Sequence, residues 1–122
     1  MKVYHASKMK FNGEAFIPRI PDNPLYDEDR VIPRICFSAS INGCLSSINN
    51  LGVNDILYVY IADINPYFPT VEQVPDIFLF GEVWSLERVE NYELYGIVRI
   101  IGYIGCEINN QVNNQFIYTM IS

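Results

Sequence analysis

Arg34-Ile35-Cys36-Phe37-Ser38-Ala39-Ser40-Ile41-Asn42-Gly43-Cys44-Leu45-Ser46-Ser47-Ile48 is the stretch on which the fold turns. Pro33 leads into it, and a proline suits the approach to a strand because it has no N–H to give a ladder. Ile35, Cys36 and Phe37 form an apolar, β-favouring run. Ser40 is a good N-cap, its hydroxyl placed to accept from amides one turn on. Ile41, Cys44, Leu45 and Ile48 then follow at i, i+3, i+4 and i+7, the stripe of a helix lying on a core. A strand, a serine corner and a short helix are therefore expected. Polar corner groups beside free backbone amides suit an anionic ligand. The simpler alternative is that Ser38 and Ser40 only make turn and cap hydrogen bonds.

Working outward, Lys2-Val3-Tyr4-His5-Ala6 predicts a first strand, followed by a turn at Asn12-Gly13. Between Phe16 and Pro33, four prolines (Pro18, Pro21, Pro24, Pro33) forbid a continuous helix or a central strand. A structureless loop of that length is often functional. It holds an acidic cluster, Asp27-Glu28-Asp29. Ile17-Pro18-Arg19-Ile20 recurs as Ile32-Pro33-Arg34-Ile35, giving two similar loop-to-strand approaches. Arg19 and Arg34 can each fork onto a phosphate, or neutralise the acidic cluster.

Downstream, the helix is expected to close between Asn49 and Asp55 with Gly52 as its breaker. Leu57 to Ala62 reads as a strand. Asp63 to Asp76, with Pro66, Pro69 and Pro75, reads as a second long loop. Ile77 to Leu86 returns to strand, with Gly81 as a bulge or turn. Tyr95 to Ile104 is a long strand that Gly96 and Gly102 allow to bend. Asn109 to Asn114 is a polar turn, and Gln115 to Ile121 closes an antiparallel hairpin. The exposed last strand is available for pairing with another subunit. Strands dominate and do not alternate with helices. The expectation is one α+β domain spanning 1–122, mostly antiparallel, with one or two short helices.

Composition narrows the partners. The chain has 122 residues, 50% of them hydrophobic and 18% charged, which suffices for a core of its own. A net charge of −6 argues against nucleic acid as the main partner and repels anionic membranes. No apolar run is long enough to span a bilayer. The first residues read as a strand rather than a signal peptide. Cys36, Cys44 and Cys106 are an odd number without a CxxC, which fits reduced thiols in a cytoplasmic protein.

Few groups are suited to chemistry. His5 is the lone histidine, at the exit of the first strand, where a ring nitrogen can reach a ribose hydroxyl; its simpler role is a structural donor. No zinc spacing, hydrolase elbow, P-loop or dinucleotide fingerprint is present. Nothing local activates Cys106 as a nucleophile paired with His5. Glu82, in Gly81-Glu82-Val83-Trp84, places a carboxylate beside apolar and aromatic groups, a setting that shifts pKa and favours strong hydrogen bonds. Simple alternation with Val83 would instead leave it facing solvent. Glu72 and Asp76 compete with it for that role.

Tyr4-His5-Ala6-Ser7, Phe37-Ser38-Ala39-Ser40 and Gly81-Glu82-Val83-Trp84, taken in order, resemble the ADP-ribosyltransferase-like superfamily, most closely its small bacterial and phage members. The resemblance implies two mostly antiparallel sheets forming a split sandwich that grips NAD. It implies that His5 binds the cofactor's adenosine ribose or phosphate. Ser38 and Ser40 would support the nicotinamide side, with Phe37 or a nearby tyrosine as a stacking ring; Arg34 joins them as a candidate cofactor-binding residue through its fork onto a phosphate. Glu82 would be the catalytic carboxylate. Two positions depart from the pattern: Ala6 stands where a glycine is usual, and Phe80 where protein-modifying members carry Glu or Gln. The implied activity is NAD-dependent ADP-ribosylation of a macromolecule, a host protein among the candidate targets. The alternative is a non-catalytic nucleotide binder or phage inhibitor of a host defence system.

Overall fold

The computed structural model describes residues 1–21, 29–48, 50–74, 81–108 and 111–122. Its strands are β1 (Lys2–Ser7), β2 (Ile35–Ser38), β3 (Ile56–Asp63), β4 (Glu82–Ser85), β5 (Tyr92–Ile108) and β6 (Gln111–Met120). The helix α1 spans Ile41–Ser46. The strands form one six-stranded sheet in the order β4-β2-β1-β3-β5-β6, every neighbouring pair antiparallel.

This corrects the expected split sandwich of two sheets. β4 and β2 are joined to the other four strands by the β1–β2 pairing, so all six belong to one sheet, accompanied among the described residues by one short helix. That join is narrow. β1 and β3 are in register from Lys2↔Asp63 to Ser7↔Tyr58, whereas β1 and β2 share one registered pair, Tyr4↔Ser38.

Alternation along the strands divides the core between the two faces. On one face, α1 lies on the sheet, and Cys44 and Leu45 pack with Ala6, Leu57, Val59, Val98 and Ile100. On the other, Val3, Phe37, Ala62 and Val83 are covered by loop residues, with Phe16 and Tyr92 packed against them. Phe16 is held there by a backbone bridge to Val89. Both faces are thus covered, by a helix on one side and by proline-rich loop on the other.

Local chemistry accounts for where the elements start and stop. Ser40 caps α1 as its sequence indicated, Oγ accepting from the Gly43 N–H at 3.0 Å. The helix ends at Ser46, well before Gly52. Ser47 donates its hydroxyl to the Cys44 carbonyl at 2.8 Å, a side-chain bond that competes with continuing the helix. β5 runs longer at both ends than its apolar core suggested. Its two irregularities leave Tyr95 and Ile101 as extra residues, each directly before one of the glycines expected to bend it. Gly81 enters β4 with φ +59, a turn rather than a bulge; the expected strand residues 77–80 lie outside the described residues. The expected turn at 109–114 is shorter, since β6 begins at Gln111; residues 109–110 lie outside the described residues. Among the described residues no helix is long and apolar enough to cross a membrane.

Candidate functional site

The narrow β1–β2 join sets the geometry of the site. At the level of the next residue pair, the His5 ring stands beside β2, and its Nδ1–H donates to the Cys36 carbonyl oxygen at 3.2 Å. A carbonyl only accepts, so Nδ1 carries the proton in this bond. Aromatic rings surround the imidazole: Phe16 at 5.0 Å, and Phe11 and Phe37 at 6.0 Å between centroids. Burial holds the His5 pKa below its ordinary value of 6.5, with the bond to Cys36 opposing the shift and Arg19 adding to it. At neutral pH the ring is uncharged, and Nε2 presents a lone pair.

Two cavities meet at this point. The smaller, about 200 Å³, lies between the sheet and α1 and is lined by His5, Ser38 and Glu82, with Gly43 and Cys44 from the helix and Ile48 just beyond it. The larger, about 580 Å³, is lined by His5, Phe11, Phe16, Arg19 and Arg34. His5 and Cys36 line both, so the β1–β2 junction is their common wall.

Ser38 and Glu82 are directly opposed across β2 and β4. Opposed residues of an antiparallel pair point to the same face at close Cβ spacing. Ser38 is buried, and its Oγ accepts from the Ser40 N–H at 3.3 Å. Glu82 is partly buried, and its Oε2 accepts from the Trp84 indole N–H at 2.9 Å. This bond fixes the carboxylate's orientation at the cavity wall.

The structure therefore brings together His5, Ser38 and Glu82. Ser40 is not among the residues lining either cavity; it is exposed and caps α1. Arg34 is absent from the lining of the smaller cavity and is occupied structurally. Its Nη1 donates to the Asp29 carbonyl at 2.8 Å, to Asp29 Oδ2 at 3.3 Å and to the Ile32 carbonyl at 3.1 Å. Its guanidinium carbon lies 4.4 Å from the centre of the Trp84 ring. Of the two roles open to it in the sequence, neutralising the acidic cluster is the one seen, through Asp29. Asp27 and Glu28 of that cluster lie outside the described residues. Glu72 is exposed and lines neither cavity; Asp76 lies outside the described residues.

Sequence reasoning missed the aromatic wall. Phe11 stacks on Tyr60 at 4.7 Å, and Phe16 meets Tyr92 edge-on at 4.8 Å. The available signal was two phenylalanines inside a glycine- and proline-punctuated loop, where solvated residues are the norm. Among the described residues no group of three His, Cys, Asp or Glu side chains converges as a metal site. No family model matches the sequence, and neither a curated protein nor a solved structure matches it.

Proposed function

We propose that the protein binds NAD across the β1–β2 junction and transfers its ADP-ribose to a macromolecular acceptor. The observation that carries this reading is the convergence of His5, Ser38 and Glu82 on one cavity that shares a wall with a second, aromatic-lined one. A dinucleotide has two ring-bearing ends joined by a charged bridge. The smaller cavity takes the nicotinamide ribose beside Glu82. The larger takes the adenine among the rings of Phe11 and Phe16, with Arg19 toward the pyrophosphate. The Nε2 lone pair of neutral His5 accepts from a ribose hydroxyl.

In the transfer, the bond between ribose C1′ and the nicotinamide nitrogen breaks, and nicotinamide departs neutral with the electron pair. The cationic ribose is stabilised by the Glu82 carboxylate, an electrostatic role. An acceptor nucleophile then bonds to C1′ and loses its proton. The resemblance of the His5, Ser38 and Glu82 segments to ADP-ribosyltransferase-like proteins supports the same reading. A cytoplasmic location, where NAD is at hand, and a host protein as acceptor belong to it.

A second reading keeps the nucleotide and drops the chemistry: a phage-type binder that sequesters an NAD-derived nucleotide or blocks a host defence protein. It is favoured by the Trp84 indole bond, which occupies one Glu82 oxygen, and by Phe80 in place of a second acidic or amide side chain.

Calorimetry with NAD, and incubation of wild type and Glu82→Gln with labelled NAD and lysate, test both. Binding with transfer that Glu82→Gln abolishes supports the enzyme. Binding without transfer supports the second reading. Failure to bind NAD or ADP-ribose overturns the enzyme and the nucleotide-sequestering form of the second reading.

A further inference from the structure

We infer that the protein forms a symmetric dimer in which β6 pairs antiparallel with β6 of a second copy, joining the two sheets edge to edge. The inference stands apart from the nucleotide reading, because β6 and β4, which carries Glu82, are opposite edges of the sheet.

The two edges are treated differently by the chain. Trp84 of β4 exchanges backbone hydrogen bonds with Tyr67, at 2.9 Å and 2.8 Å, so that edge is covered by the chain's own loop. Among the described residues no such bridge covers the outer edge of β6. An open row of N–H and C=O groups is a template for another strand, and monomeric proteins blunt such edges with lysine, proline or a bulge. β6 is 10 residues long and contains no charge, proline or glycine. Its register breaks with β5 through an extra residue on β5, not on β6.

The strand beside it adds to the case. β3 accompanies β5 as far as Arg99, Asn54 and Asp55 bond the Ile100 backbone, and from Ile101 to Ile108 the ladder partner of β5 is β6. A two-stranded ribbon is marginally stable in water by itself. Ile101, Tyr103 and Ile104 of this ribbon are each at least half exposed, and Ile117 is exposed beside them.

Charge points to a second copy as the occupant. The chain carries a net −6, yet from Ile100 to Ser122 the only charged residue is Glu107. Two copies meeting along β6 bring together their neutral ends and keep the acidic remainder apart. The Ile121 N–H donates inward to the Ile97 carbonyl, so alternation sends the N–H groups of Tyr118 and Met120 outward. A two-fold axis within Gln115–Met120 satisfies both rows at once, since an isologous contact sets the same strand against itself.

Sedimentation velocity over a dilution series tests this, read together with hydrogen exchange. Wild type is expected at twice its 14.1 kDa mass when concentrated. The Tyr118 and Met120 amides should exchange slowly there and faster on dilution. Gln115→Lys and Ile117→Lys, at exposed positions, should each weaken the dimer at least tenfold with NAD affinity unchanged. Should a variant fail to fold, the wild-type exchange on dilution decides. A wild type that stays monomeric, a dimer that both lysines leave intact, or Tyr118 and Met120 amides indifferent to dilution overturns the inference.

Discussion

His5 Nδ1 lies 3.2 Å from the Cys36 carbonyl oxygen, at the level where the β1–β2 ladder stops after its one registered pair. A side chain here takes a place that backbone would otherwise fill. His5→Phe keeps a ring among Phe11, Phe16 and Phe37 and deletes the bond. It should cost about 1 kcal/mol in urea unfolding, the net worth of an ordinary hydrogen bond. His5→Ala should cost more, because the aromatic packing goes too. A His5→Phe protein as stable as wild type would show that the imidazole does not help join β2 to β1.

The same residue makes stability depend on pH. Its folded pKa is held below the ordinary 6.5, chiefly by burial. As pH falls below that value the unfolded chain takes up the proton first, so stability present above pH 6.5 is lost as pH drops through the folded pKa. Midpoint denaturant concentrations measured downward from neutrality should decline before the carboxylates titrate. His5→Phe should flatten that part of the profile. An unchanged slope in the variant would assign the decline to other groups.

Ser38 and Ser40 should separate cleanly. Ser40→Ala removes the cap of α1 and should cost about 1 kcal/mol of stability, with NAD affinity unchanged. Ser38→Ala removes a hydroxyl from the cavity wall and should weaken NAD binding by roughly 2- to 10-fold, the span of one hydrogen bond. Calorimetry beside urea unfolding reads both. A reversed pattern would return the corner to Ser40.

Burial pushes the Cys44 thiol up to about 12. Its Sγ also donates to the Ile41 carbonyl at 3.0 Å. The thiolate is the reactive form, so iodoacetamide at pH 8 should leave Cys44 unmodified in the native protein and modify it in urea. Mass spectrometry of the tryptic peptide reads the difference. Rapid native labelling would mean that α1 lifts from the sheet often enough to expose it.

The parts of this fold that sequence made legible are the local ones. The stripe from Ile41 to Ile48 and the Ser40 cap depend on neighbours a few residues away, and the helix forms there over Ile41–Ser46, with Ile48 packed on the core just beyond it. The β5 glycines likewise mark both of its irregularities. What stayed hidden is set by distant pairings. Whether β2 joins β1 rests on Tyr4 meeting Ser38, a contact that no local pattern encodes, and the two-sheet expectation came from the family resemblance alone. The candidate site divides in the same way. His5 and Glu82 stood out as a lone histidine and a carboxylate beside a tryptophan. Phe11 and Phe16 did not, because only the folded loop turns them toward His5.

Arg34 is where the local scale leaves a choice that the fold makes, and it yields the sharpest test. Its position after Pro33 suits either a phosphate or the acidic cluster, and its side chain is buried between Asp29 of that cluster and the Trp84 ring. A lysine retains the charge but lacks the planar face that lies over the indole, and its shorter side chain carries no donor to the position from which Nη1 meets Asp29 and the Ile32 carbonyl. Arg34→Lys should therefore destabilise the protein by about 1.5–3 kcal/mol, the range for hydrogen bonds to charged groups. Asp29→Asn should cost less, since its side chain retains partial access to water. A double-mutant cycle between the two should show a coupling of about 0.5–3 kcal/mol. NAD affinity should change little wherever the variants remain folded. If Arg34→Lys instead unfolds like wild type while losing NAD affinity, the guanidinium reaches the ligand from the larger cavity, and its bond to Asp29 gives way when nucleotide binds.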